Sequence, residues 1–237
     1  MGAHERMSFT KKTAGRDILG YLLLAVSVLL LGRSLALCFS NDIWYDELFT
    51  VGMIEHSYGD LIAFTARDVH PPLYYCIVKF VVELCKFIMP GAGTVIPAKI
   101  VSVLPYFILL LYSFLFIRKR FGTFVCGLFL FCVIAMPQLP AYTVEVRMYG
   151  WAMLFVTAAF LHGYGTVTAE TGASGMGQRH GVRKMTMKAH AAALVFYGIA
   201  AAYTQYFACV AVVMVYLYVL LVFIKKDRSY FINTSNT

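Results

Sequence analysis

Six long apolar runs constrain this chain more than any other feature of its sequence. Each approaches the ~20 residues that a helix needs to cross about 30 Å of hydrocarbon. Hydrophobic residues make up 60% and charged residues only 14%, which excludes an ordinary soluble domain and a disordered chain. We therefore expect an all-α, polytopic transmembrane helix bundle. The predicted spans are roughly 18–39, 100–117, 123–140, 149–166, 189–206 and 207–224.

The beginning of the chain is open to two interpretations. Residues 1–17 are basic and polar and precede an apolar run, as in a secretory signal. The run 18–39, however, is too long for an ordinary signal core and lacks a small-residue cleavage site. We expect an uncleaved first span. The six cysteines form no CxxC pair and lie in or beside apolar runs, which favours buried thiols over a metal site.

Clusters of Lys and Arg predict the orientation of the spans. The net charge is +8, and such an excess in a membrane protein is typical of cytoplasmic loops rather than of nucleic-acid binding. Every cluster falls on the cytoplasmic side only if the apolar run 73–89 does not cross. The clusters are Arg6, Lys11, Lys12 and Arg16; Arg118, Lys119 and Arg120; Arg179, Arg183, Lys184 and Lys188; and Lys225, Lys226 and Arg228.

The run 73–89 has the pattern of a helix that lies in the membrane interface. Lys79, Glu83 and Lys86 share one helix face, and burying them in a spanning helix would cost about 2.5–3.5 kcal/mol each at mid-depth. We expect this polar stripe to face water. The resulting topology has a cytoplasmic N-terminus (1–17), a transmembrane domain (18–224) and a cytoplasmic tail (225–237). Within the transmembrane domain, the external parts are the loop at 40–99 and the tips near 141–148 and 203–207, and residues 167–188 form a flexible cytoplasmic connector.

Three groups of polar residues fall on the external side of this topology. The pair Asp46-Glu47 directly follows the first span. Two carboxylates there could serve as general base, metal ligands or proton relay, or could begin a solvated loop beside the interfacial aromatics Trp44 and Tyr45.

The second group, Asp68 and His70, precedes Pro71-Pro72. Two prolines enforce extended backbone and predict a helix that starts near Leu73. The site is then either a helix N-terminus that favours an anion or a cap with a proline stop.

The third group, Glu145 and Arg147, separates two apolar runs. Arg147 is suited to bind phosphate, or it could extend along the membrane interface. Lys99 and the turn at 203–207, which contains Gln205, lie on the same side.

Together these segments resemble a known family. The patterns W-x-D-E-x-x-T, D-x-H-P-P-L-Y-Y, E-x-R-M-Y and Y-T-x-Y-F, in this order over about 40–210, are similar to the polyprenyl-phosphate-sugar-dependent glycosyltransferases of the GT-C superfamily. The likeness is to the bacterial branch related to protein O-mannosyltransferases (glycosyltransferase family 39) and lipid A aminoarabinose transferases. It implies a multi-pass enzyme of the plasma membrane, a lipid-linked sugar donor, interfacial helices in the first external loop and an active site on the extracytoplasmic face.

The resemblance also implies roles for individual residues. Asp46 stands at the position of the catalytic acid of the first loop, and Glu47 is its partner. By the same resemblance, Asp68 and His70 lie beside the active site, and Glu145 and Arg147 lie near the donor phosphate. Lys99 stands where relatives often have Arg, and Gln205 stands where many have His. No cofactor is assigned. Some superfamily members use a divalent metal, and the carboxylates of Asp46, Glu47 and Glu145 are hard oxygen ligands of the kind that it prefers.

Two further expectations concern completeness and class. Members of the family continue with more spans, so the resemblance implies an N-terminal portion of a transferase. This would be a truncated gene product, a fragment, or one half of a split enzyme whose C-terminal half is encoded downstream. The alternatives are a transporter or flippase-like subunit, since intramembrane acids and Arg can line a substrate path, and an inactive membrane scaffold. The transporter is disfavoured because the polar residues cluster at one membrane face and no inverted repeat is visible.

Overall fold

The computed structural model describes residues 3–40, 42–135, 142–170 and 185–234, with side chains over 14–40, 42–135, 142–169 and 185–226. Helices make up 81% of the structure, and the described ranges contain no strand. The predicted all-α class is confirmed. The helices are α1 (Ala3–Leu37), α2 (Tyr45–Met53), α3 (Tyr58–Thr65), α4 (Leu73–Ile88), α5 (Val95–Tyr112), α6 (Arg118–Phe121), α7 (Thr123–Ile134), α8 (Tyr149–Glu170), α9 (Met187–Ala202) and α10 (Tyr206–Thr234).

Four of the predicted spans are helices long and apolar enough to cross a membrane: Ala14–Leu37, Val95–Phe121, Tyr149–Ala169 and Tyr206–Lys226. The other two apolar runs also form helices, but α7 has 12 residues and α9 has 16, fewer than a perpendicular crossing requires. Residues 136–140 of the predicted third span lie outside the described residues. So do residues 171–184 of the predicted connector, with Arg179, Arg183 and Lys184.

The second span is longer than its apolar run suggested. It begins at Val95 rather than at residue 100, and α5 continues through a π-helical turn, Ser113–Ile117, into α6. The basic residues of the predicted loop, Arg118 to Arg120, therefore extend the helix. It ends at Gly122, whose φ of +91° is a backbone conformation that glycine adopts without strain.

The predicted loop 40–99 contains three of the helices, α2, α3 and α4. Helix α4 starts at Leu73, as the two prolines predicted, and the hydroxyl of Ser57 caps α3 by accepting from the Asp60 amide at 3.2 Å. Each helix carries large exposed apolar side chains, which are suited to a membrane interface. These include Tyr45, Leu48, Ile62, Phe64, Phe80, Leu84, Phe87 and Ile88.

One expectation about α4 is wrong: the polar stripe does not face water along its whole length. Lys79 is buried. Its ammonium donates to the carbonyl of Ile54, at the C-terminal end of α2, at 3.0 Å, and it pairs with Glu83 at 2.7 Å. These two acceptors offset the cost of removing the charge from water. Lys79 therefore fixes α4 to the end of α2.

The chain divides into two compact units, each of which is assembled from separate segments. Unit 1 comprises Met1–Glu55 and Ile77–Gly150, and unit 2 comprises His56–Cys76 and Trp151–Thr237. In unit 1, Cys38, Val103 and Val144 form a buried apolar cluster. Cys38 belongs to the segment that connects α1 to α2, and Val144 belongs to the segment that precedes α8. The cluster therefore packs together two of the segments that flank the polar residues described next.

Candidate functional site

The polar site of unit 1 is built around the buried carboxylate of Glu47. Glu47 is the third residue of α2, and only 2% of its surface is exposed. One of its oxygens accepts from the Trp44 amide at 3.0 Å, which caps the helix. The other accepts from the Val146 amide at 2.7 Å. Both oxygens are therefore bound by backbone N–H groups, and the carboxylate joins two segments that are 99 residues apart.

Thr50 adds a second bond between the same segments. It lies three residues after Glu47 on the same face of α2, and its buried hydroxyl donates to the Val146 carbonyl at 2.9 Å. Both backbone groups of Val146 are thus satisfied by α2. No role for Thr50 was predicted beyond its place in the motif. The i, i+3 spacing from Glu47 was the signal that could have revealed it.

Asp46 and Arg147 meet at the edge of this assembly. An Arg147 guanidinium nitrogen lies 3.8 Å from the Asp46 carboxylate and donates to the Asp46 carbonyl at 3.3 Å. The other terminal nitrogen donates to the Tyr149 hydroxyl at 3.4 Å, and the guanidinium lies over the Tyr149 ring. The side chain of Arg147 is 11% exposed and that of Asp46 is 45% exposed. The guanidinium is thus held in place, while the Asp46 carboxylate remains partly exposed.

Glu145 completes the group of acids in this part of unit 1. Its backbone carbonyl accepts from the Arg147 amide at 2.7 Å. Burial, followed by the carboxylates of Glu47 and Asp46, raises the pKa of Glu145 to about 7, and Arg147 partly opposes the shift. A carboxyl group with this pKa can both hold and release a proton near neutral pH, which suits acid–base chemistry.

Lys99 lies in the same unit but serves the loop that precedes α2. It is 1% exposed, and its ammonium donates to the Asp42 carbonyl at 3.1 Å. Burial raises the pKa of the neighbouring Cys38 thiol, and the charge of Lys99 opposes that shift. Five of the predicted site residues therefore belong to unit 1: Asp46, Glu47, Lys99, Glu145 and Arg147.

The remaining predicted site residues belong to unit 2. Asp68 and His70 approach each other at 3.5 Å, directly before α4. The Leu73 amide, at the start of that helix, donates to the Tyr203 carbonyl at 3.0 Å, which brings the segments 68–75 and 203–207 together. This amide is therefore already engaged at the helix N-terminus that was predicted to favour an anion. The side-chain oxygen of Gln205 accepts from the Tyr206 amide at 2.9 Å at the start of α10.

Sequence reasoning overlooked a histidine pair in unit 2. The Nδ1 atoms of His162, in α8, and His190, in α9, are 2.9 Å apart, so one ring donates to the other. His162 is buried and stacks on Tyr197. Each histidine interrupts an apolar run, which was the signal that could have revealed it.

The described residues contain no group of three or more His, Cys, Asp or Glu side chains arranged to hold a metal ion. Asp46, Glu47 and Glu145 are neighbours, but the oxygens of Glu47 are occupied by backbone amides. Comparisons of the chain with protein-family models, with curated protein sequences and with solved structures find no match. Any assignment of function thus depends on the polar segments and their geometry.

Proposed function

We propose that this chain is a membrane glycosyltransferase that transfers a sugar from a polyprenyl-phosphate donor to an acceptor hydroxyl. The observation that carries the proposal is the grouping of Asp46, Glu145 and Arg147 in unit 1, close after a helix long enough to span a membrane. A proton acceptor beside a fixed guanidinium is what transfer from a lipid phosphate requires.

In the proposed reaction, Asp46 takes the proton of the acceptor hydroxyl. The acceptor oxygen then forms a bond to the anomeric carbon from the side opposite the phosphate, with inversion. The bond from that carbon to the phosphate oxygen breaks, and its electron pair leaves with the lipid phosphate. Arg147 stabilises the charge that develops on the phosphate oxygens. Glu47 positions Asp46, since it fixes the first turn of α2 against Val146.

The orientation in the membrane is part of the proposal. We place the site on the extracytoplasmic face of the plasma membrane, with six spans, residues 40–99 wholly external and α4 in the interface. The exposed apolar side chains of α2, α3 and α4 support this placement. Single cysteines at positions 92 and 119 test it with an impermeant label applied from outside: we expect labelling at 92 and none at 119. The reverse pattern would overturn the topology.

The decisive test of the reaction is Asp46→Asn. The variant keeps the size of the side chain but cannot accept the proton, so donor binding should persist while turnover falls by roughly 10²–10⁴. The assay is sugar release from a radiolabelled polyprenyl-phosphate donor in membranes, and Glu55→Gln, which removes an exposed carboxylate of the same unit, is the control. Full turnover by Asp46→Asn would remove Asp46 from the mechanism. Movement of intact donor across the membrane would instead indicate a transporter.

A further inference from the structure

Unit 1 contains a second charged feature, within α1 near the start of the candidate span Ala14–Leu37, where α1 meets α6 and α7. A Cβ atom on Gly20 would lie 2.7 Å from the backbone of Phe124, so α1 and α7 approach as closely as they do only because glycine stands there. This crossing brings Arg16, one turn before Gly20, over the ring of Phe124, with 5.4 Å between the guanidinium carbon and the ring centroid.

The same crossing positions Arg118. Its guanidinium donates to the Tyr21 hydroxyl at 2.9 Å and lies 5.6 Å from the centroids of both the Tyr21 and Phe114 rings. Contacts of this kind hold a cation in one orientation. Lys119 and Arg120 follow on α6 and are exposed. We call these four cations and their aromatic supports the basic corner: Arg16, Tyr21, Phe114, Arg118, Lys119, Arg120 and Phe124.

We propose that the basic corner binds the phosphate headgroup of an anionic phospholipid. A planar guanidinium can hold two phosphate oxygens, and the aromatic contacts orient those of Arg16 and Arg118 before the lipid binds. The exposed cations beside them add attraction that a neutral headgroup would not experience. The site is separate from the Asp46–Arg147 group and does not depend on the proposed transferase activity.

A lipid fits this surface better than a soluble phosphate. Large apolar side chains are exposed next to the basic corner on α1, among them Ile18 at 61% and Leu22 at 58%, and Phe121 is exposed on α6. The span Ala14–Leu37 has only 28% of its most apolar window buried in the protein. A ligand that carries both a phosphate and acyl chains would cover the cations and the adjoining apolar surface together.

Lipid binding to the purified full chain tests the proposal. Native mass spectrometry would measure the affinity for phosphatidylglycerol, for phosphatidylcholine and for inorganic phosphate. Each cation near an anionic lipid contributes about fivefold in binding, so the double variant Arg16→Gln/Arg118→Gln should bind phosphatidylglycerol roughly 25-fold more weakly. Tyr21→Phe, which keeps the ring and loses the hydroxyl, should show a smaller loss. Lys225→Gln/Lys226→Gln, which removes two exposed cations of α10, is the matched control and should bind as the parent does.

Several results would overturn the proposal. These are equal affinity for phosphatidylcholine, displacement of the lipid by inorganic phosphate, and an equal loss of affinity in the Lys225→Gln/Lys226→Gln control, which would indicate diffuse charge. If the double variant does not fold, Arg118→Lys keeps the charge and loses the planar fork. It should still bind phosphatidylglycerol several-fold more weakly than the parent, and unchanged binding would count against the site.

Discussion

The segments that carry the predicted site residues are joined in different ways in the two units. In unit 1, α2 is joined to the segment before α8 by side chains, through the buried carboxylate of Glu47 and the hydroxyl of Thr50. In unit 2, the start of α4 is joined to the turn before α10 by a backbone hydrogen bond from the Leu73 amide to the Tyr203 carbonyl.

The difference shows where specific residue types matter. A hydrogen bond between two backbone groups can form with almost any side chain at either position. The junction in unit 1, by contrast, requires a side-chain acceptor with the length and charge of Glu47. Removing the Glu47 carboxylate leaves the buried amide of Val146 and the partly buried amide of Trp44 without their acceptor. Unit 1 therefore places residues that stabilise the fold beside the residues that we propose carry out the chemistry, and variants can separate the two.

The largest effect should come from Glu47→Ala. It removes the acceptor of two backbone amides, one of them on Val146, and should lower the free energy of unfolding by about 3 kcal/mol or more. Leu73→Pro removes the corresponding amide in unit 2 at a helix start where proline is tolerated, and should cost only about 1 kcal/mol. Chemical unfolding in mild detergent measures both. Equal losses would erase the distinction between the two junctions.

A smaller effect, on ligand binding rather than folding, is expected from Arg147→Lys. The ammonium keeps the charge but cannot hold two phosphate oxygens. Affinity for the polyprenyl-phosphate donor should fall by about 1–3 kcal/mol, as measured by competition in membranes, with little change in unfolding. Donor affinity equal to that of the parent would exclude Arg147 from phosphate binding.

Thr50→Val should cost about 1 kcal/mol of unfolding free energy, because it removes the bond to Val146 and leaves that carbonyl with one partner fewer. Thr65→Val is the matched control, since Thr65 is equally buried but bonds within its own helix, to the Leu61 carbonyl. If Thr65→Val lowers the unfolding free energy more than Thr50→Val does, the hydrogen bond between the two segments contributes less to stability than a bond within one helix.

The smallest expected effect is a change in pH dependence at Glu145. Its folded-state pKa of about 7 lies above the ordinary 4.5, so the folded state binds more protons and stability should fall as pH rises from about 4.5 to 7. In Glu145→Gln the free energy of unfolding should decrease less over this pH range, whereas in Glu55→Gln it should decrease as in the parent. The change is small because Glu145 is partly exposed and solvent screens its charge. If the unfolding free energy of Glu145→Gln depends on pH as the parent's does, Glu145 is not the group responsible for that dependence.

Local rules predicted some of these features and not others. The start of α4 followed from Pro71-Pro72 because proline restricts the backbone of its neighbours. The burial of Lys79 did not follow from its helix face, since its acceptor is the backbone carbonyl of Ile54, which carries no residue-specific signal. The partner of Glu47 was hidden for the same reason, because any residue at position 146 would offer an amide.

The hydrogen bond between Glu47 and Val146 also has a consequence for the order of events during synthesis of the chain. The two residues are 99 positions apart in the chain. At synthesis rates of roughly 5–20 residues per second, they therefore emerge from the ribosome about 5–20 s apart. During this interval Glu47 lacks its second amide partner, and the helix Val95–Phe121 is synthesised before that partner is. The link between α2 and the segment before α8 can therefore form only after the intervening helices of unit 1 have been synthesised.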